Sequence, residues 1–199
     1  MRLRTLEIKL EGLIDFKKPD CSLEQYKTPA VVAARLLFDA MLKGDIAGLK
    51  ILDPGCGTGV LSCGAKLLGA EFVQGVDIDK SAVEIAVKNA ESLGLDIEFT
   101  ASDISSFECG HFDTVVMNPP FGAQNAHADR PFIDAALRCS DVVYSVFNKG
   151  TLPFLKAYTK NTAEITDVFA CSYPIKNTFS HHTKDCVYID VEIVRMEKL

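Results

Sequence analysis

Leu49-Lys50-Ile51-Leu52-Asp53-Pro54-Gly55-Cys56-Gly57-Thr58-Gly59-Val60-Leu61-Ser62-Cys63-Gly64-Ala65-Lys66-Leu67-Leu68 is the stretch that decides the fold. Leu49 to Asp53 reads as a short strand, Pro54 to Gly59 as a glycine-rich turn, and Val60 onward as a helix stopped by Gly69. Strand, glycine turn and helix make the βα unit of nucleotide-binding sheets. Glycines there let the backbone approach a ligand closely. They stand at 55, 57 and 59, whereas the dinucleotide fingerprint wants its third at 60, which is Val. No Gly-Lys-Ser/Thr follows, so the turn is not a P-loop.

Acids at the ends of the next strands sharpen this reading. Phe72-Val73-Gln74-Gly75-Val76-Asp77 is a second strand pattern, and its terminal acid suits ribose hydroxyls. Glycine spacing and acid together favour an S-adenosylmethionine site. A doubly wound sheet binding NAD, or binding nothing, is the alternative. Ile97-Glu98-Phe99-Thr100 leads to Asp103, a third polar strand end that could accept from an adenine amino group or simply form a turn. The fourth strand pattern, Phe112 to Met117, runs into Asn118-Pro119-Pro120-Phe121. Asn offers an amide oxygen, and the first proline offers a backbone carbonyl in a stiffened turn. The ring can stack on a flat base. Two acceptors and a ring suit the grip of a planar amino group; an ordinary turn is the competing reading.

Composition bounds the rest. The chain has 199 residues, 48% hydrophobic and 24% charged, as in an ordinary globular protein. We expect a single domain over residues 1–199, with residues 1–27 as a mixed N-terminal leader. No apolar run approaches a membrane span, and the N-terminus lacks a signal-peptide core. Seven cysteines without a Cys-x-x-Cys pair read as reduced thiols in the cytoplasm, with no metal site. A net charge of -6 argues against an extended autonomous grip on nucleic acid. A local patch fits better, and Lys176, Phe179, His181 and Lys184 lie in a loop between two strand patterns.

Along the chain, Thr28 reads as an N-cap and Pro29 as the first residue of a helix to about Lys43. Further helices are expected over 80–92, 131–138 and 151–161. Strands are expected over 142–147, 164–172 and 186–195. Alternating strands and helices imply a parallel α/β sheet with helices on both faces. The last two strands lack an intervening helix and should form a C-terminal antiparallel pair.

Asp53-x-Gly-x-Gly-x-Gly, Asp77, Asp103 and Asn118-Pro119-Pro120-Phe121 resemble the class I, Rossmann-like methyltransferases acting on the adenine amino group. Leu23-Glu24-Gln25-Tyr26 before Thr28-Pro29, Gly75-Val76-Asp77-Ile78-Asp79, Val143-Tyr144-Ser145 and Asp190-Val191-Glu192-Ile193 narrow the match. Together they resemble the methyltransferase-like 5 family and its archaeal relatives over nearly the whole chain.

The resemblance implies transfer of a methyl group from S-adenosylmethionine to N6 of an adenosine in small-subunit ribosomal RNA. It implies that Gly55, Gly57 and Gly59, beside Asp53, border the methionine part of the cofactor. Asp77 would hold the ribose, Asp103 the adenine, and Ile78 and Ile104 would sandwich the ring. Gln25, Tyr26 and Thr28 would close over the site. The target adenosine would be flipped from its stack, its amino group held by Asn118 and Pro119, with Phe121 stacked on the base. A small activator protein would dock on the strand-three edge at Ile97 and Phe99. The rival readings are a protein glutamine N5-methyltransferase and a non-catalytic RNA-binding assembly subunit.

Overall fold

The computed structural model describes residues 1–122, 124–176 and 186–199. Among them seven strands form one sheet: β1 (Lys50–Pro54), β2 (Phe72–Asp77), β3 (Glu98–Ala101), β4 (Phe112–Met117), β5 (Ser140–Asn148), β6 (Ala163–Lys176) and β7 (Cys186–Lys198). Their order is β3-β2-β1-β4-β5-β7-β6. β1 to β5 run parallel, and β7 lies antiparallel between β5 and β6. The α/β class and the C-terminal antiparallel pair are as the sequence predicts.

Alternation along the strands explains why both faces are covered. Ile51, Val116, Tyr144, Val146 and Ile193 point into one core. Leu52, Val115, Met117, Val143 and Val194 point into the other. The first core is roofed by α1 (Leu3–Glu11), α2 (Ala30–Leu42) and α3 (Val60–Leu67), with Ala90 of α4 (Lys80–Ser92). The second is roofed by α5 (Arg130–Cys139) and α6 (Leu152–Tyr158). With both faces occupied, polar chemistry is left to the strand ends. The order reverses between β1 and β4, and there a crevice opens at the carboxyl edge.

The structure corrects four local expectations. Residues 1–27 begin with a helix, because Leu3, Leu6, Leu10 and Leu13 recur at helical spacing. Leu6 and Leu10 are fully buried in the same core as α2. Arg2 precedes this helix and supplies no side-chain cap, so the usual start signal is missing. Thr28 is not the N-cap of α2; Pro29 is, and the Thr28 hydroxyl is used elsewhere. α6 is shorter than expected, at Leu152–Tyr158. Finally, the cysteines are not all reduced: Cys109 and Cys139 form a disulfide. Their Cα atoms stand 5.9 Å apart, because the last turn of α5 lies against the connection into β4.

No helix among the described residues is long and apolar enough to cross a membrane.

Leu10 tests the place of α1 in the core. Leu10→Ala should cost about 2–5 kcal/mol, as for other buried leucines. Urea denaturation would measure it, and a loss under about 0.5 kcal/mol would detach α1 from the core.

Candidate active site

Asp53 ends β1 and is buried. Its Oδ2 accepts from the backbone N (2.9 Å) and Oγ (2.5 Å) of Ser62 in α3. Burial pushes its carboxyl up to about 7, against the lowering effect of the two Ser62 bonds. This acid ties strand to helix beneath the glycine turn and does not line the cleft described below. Gly59 does not line it either. Both were expected to touch a cofactor.

Gly57 has φ +52°, where a side chain is strained, and a Cβ would stand 3.0 Å from the Phe16 ring. Its N–H donates to Asp77 Oδ2 at 2.8 Å. Asp77 Oδ1 accepts from Asp79 N at 2.9 Å. Burial raises the Asp77 carboxyl above its ordinary range, only partly offset by these N–H donors. Asp79 behaves oppositely. Burial pushes it up, but hydrogen bonds from Gln25 and Ser81 outweigh that and leave it lowered.

The residues between the first two helices cross this carboxyl edge as a strap. Asn89 of α4 holds its start, exchanging hydrogen bonds with the backbone of Ile14 (2.8 and 3.0 Å) and donating to Thr58 O (2.8 Å). Gln25 Nε2 donates to Asp79 Oδ2 at 2.7 Å, and its Oε1 accepts from Asp20 N at 2.8 Å. Glu24 stands in the left-handed region, φ 51° and ψ 41°. For a non-glycine residue that costs about 1–2 kcal/mol. Its carboxylate accepts from Phe121 N (2.7 Å) and Gln124 N (2.8 Å).

Under the strap lies a cleft of about 280 Å³. Gln25, Tyr26, Thr28, Gly55 and Gly57 line it from the strap and the glycine turn. Asp77, Ile78, Asp103, Ile104, Asn118 and Pro120 line it from the strand ends. Asp103 Oδ1 accepts from Ser105 N at 2.8 Å, so it also shapes its own turn. Pro119 and Phe121 are not part of the cleft wall. The Phe121 ring leans edge-on against Tyr173, centroids 5.9 Å apart at 73°.

Asn118 is where the elements meet. Its Nδ2 donates to Thr28 Oγ1 (3.1 Å) and to the Tyr173 hydroxyl (3.0 Å). Its Oδ1 is buried and has no hydrogen-bond partner. Tyr173, in β6, is buried as well, and burial pushes its phenol up to about 12 despite the Asn118 bond. Sequence reasoning missed Tyr173, and missed Phe16 and Phe132, which line the cleft. Phe179, His181 and Lys184 lie outside the described residues, and Lys176 is described by its backbone, at the end of β6.

Comparison with known proteins decides the family. The model of the methyltransferase small domain matches residues 31–141. The chain is 33% identical over 203 residues to the rRNA N(6)-adenosine-methyltransferase METTL5 of Danio rerio, covering 98% of each. The chain belongs to the methyltransferase-like 5 family. A second relative of this methyltransferase, an uncharacterised protein of Methanocaldococcus jannaschii, is 36% identical over 211 residues, 100% of this chain and 95% of the other. The crystal structure of a candidate RNA methyltransferase from Pyrococcus horikoshii superposes with a TM-score of 0.94 at 39% identity. That superposition covers 100% of this chain and 98% of the other.

The methyl donor of such an enzyme is S-adenosylmethionine, and the cleft fits it. Asp77 offers carboxylate oxygens at the end of β2. Ile78, 58% exposed, offers an uncovered apolar side chain beside them. Thr58 Oγ1, buried in the cleft wall, has no partner.

Asp53 gives a pH test. A raised folded value means its contribution to stability is fully present below its ordinary value near 3.8 and is lost as pH rises through about 7. Asp53→Asn should therefore gain stability relative to the parent protein across that interval. Urea midpoints at a series of pH values would show it; parallel curves would contradict the assignment.

Proposed function

We propose that the protein transfers the methyl group of S-adenosylmethionine to N6 of an adenosine in ribosomal RNA, with small-subunit RNA as the substrate. One observation carries this reading. Asn118 presents a buried, unpartnered acceptor at the end of β4, with both its amide hydrogens already committed. An acceptor with no donor in reach is a cost that a folded protein rarely carries without use. A primary amino group on a planar ring supplies the missing donor.

Asp77 and the glycine turn would hold the donor's nucleoside, with Ile78 and Ile104 against its base. When bound, the donor supplies an electrophilic methyl on a sulfonium. The protein's own part is to bind, orient and dry the amine. Asn118 Oδ1, with the Pro119 carbonyl, would accept the two amino hydrogens. This draws the nitrogen lone pair out of conjugation with the ring and aims it. Phe121, braced by Tyr173, would support the face of a flipped base. Most of the acceleration then comes from positioning. The curated relative from Danio rerio, similar over nearly its whole length, is named for N6-adenosine methylation of rRNA.

Two finer readings accompany this one. A small activator protein would dock on β3, which pairs only with β2 among the described strands. Its contact would be through the backbone, because the Phe99 ring is turned inward: a Cβ on Gly75 would stand 2.6 Å from it. Ile97 precedes the strand and also packs inward. Slower amide exchange at Glu98–Ala101 in the complex is expected, and unchanged exchange would remove the activator from this edge. A ribosomal substrate would be met in the cytoplasm, and enrichment of the protein in a membrane fraction would contradict that.

Asn118→Ala should cut methyl transfer to small-subunit RNA by at least about a hundredfold. Titration calorimetry should find S-adenosylmethionine binding within about threefold of the parent. A tritiated-methyl assay reads the transfer, and turnover within about tenfold of the parent would sink the assignment.

A further inference from the structure

All four residues of the Leu23-Glu24-Gln25-Tyr26 segment line the cleft, and Glu24 also reaches beyond it. Both of its carboxylate oxygens are spent on the loop that carries Phe121, one on Phe121 N and one on Gln124 N. A second tie lies alongside, where Asn125 Nδ2 donates to Ser22 O at 3.1 Å. The chain adopts a left-handed conformation at Glu24 to make this reach. Strained backbone of this kind persists where the surroundings require it, and it gathers at functional sites.

The neighbouring bonds extend the connection. Gln25 is fixed to Asp79, and Asp79 N is fixed to Asp77. A hydrogen-bonded line therefore runs from the acid at the end of β2, through the strap, to the backbone N–H of Phe121.

From this we infer that Glu24 is a positioning residue: its carboxylate fixes the Phe121 loop against the strap, in the arrangement that receives the target base. The inference rests on the adenine-methylation reading above. Charge-assisted bonds from a carboxylate to backbone N–H groups are short and strong, and here two of them converge on one side chain. Glu24 stands in the cleft wall, but both its carboxylate oxygens are already bonded to the Phe121 loop. It acts through Phe121, whose ring must meet the base, and through the turn that begins at Asn118. Without Glu24, Asn118 keeps its hydroxyl partners on Thr28 and Tyr173, so the acceptor survives while the ring beside it is released. The signature thus joins the two halves of the site, with Gln25 tied to the donor side and Glu24 to the acceptor side.

Glu24→Gly tests this cleanly, because glycine adopts the left-handed conformation without strain and the turn should still fold. Glu24→Gln keeps the shape and one carbonyl acceptor, and serves as partial rescue. For Glu24→Gly we expect kcat on small-subunit RNA to fall about 10- to 100-fold. Affinity for S-adenosylmethionine should stay within about threefold, and amide exchange at Phe121 and Gln124 should quicken by at least about tenfold. Glu24→Gln should fall between. A kcat within about twofold of the parent, unchanged exchange at both amides, or losses of turnover, cofactor affinity and melting temperature in step would each overturn the inference. If the parent protein itself transfers no methyl to RNA, the proposed function fails, while the exchange measurement still decides whether Glu24 holds the loop.

Discussion

The amide of Asn118 is held by partners far away along the chain. One of its hydrogens goes to Thr28, 90 residues earlier, and the other to Tyr173, 55 residues later. Those bonds fix which way the amide faces, and they leave its oxygen buried and without a donor. The arrangement exists only if the strap, the parallel half of the sheet and the antiparallel pair are assembled together. β5 and β7 stand between β4 and β6 in the sheet, and Tyr173 reaches Asn118 from the stretch of β6 that runs past the last β5–β7 pair, Asn148 with Val191. The strap reaches the same point because Asn89, Asp79 and the Phe121 loop hold it at intervals.

The glycine turn obeys the same logic on the donor side. Asp53 and Asp77 are acids at the ends of adjacent parallel strands, yet they do different work. Asp53 is consumed by Ser62 inside the protein, where burial favours its protonated form. Asp77 keeps contact with the cleft while two backbone N–H groups order it. Desolvation raises both, but only Asp77 can meet a ligand. Asp77 and Asn118 therefore sit at strand ends on either side of β1, joined above by the strap.

Much of this was legible in the sequence, and the exceptions have physical causes. Apolar runs bounded by glycines mark β2, β4 and α4 well, because parallel strands buried on both faces carry little else. α1 was passed over although Leu3, Leu6, Leu10 and Leu13 keep helical spacing, since no capping residue announces it. Tyr173 gave no local signal. Its role depends on β6 returning beside β7, a contact between distant segments. The sequence does not tell whether Asp53 faces a helix or a cleft, because an acid at a strand end looks the same in either case. The Cys109–Cys139 pairing, across 30 residues, likewise has no mark in spacing. Glu24 was visible within a signature, but its conformation and its two N–H donors belong to the folded state alone.

The central claim is that Asn118 Oδ1 is completed by the substrate's amino group. A crystal structure of the protein with S-adenosylhomocysteine and adenosine monophosphate tests this most directly. The account predicts adenine N6 within about 3.2 Å of Asn118 Oδ1, with Thr28 and Tyr173 still holding the amide nitrogen. Adenine bound away from Asn118, or an amide turned so that its oxygen takes a hydroxyl of Thr28 or Tyr173, would contradict it.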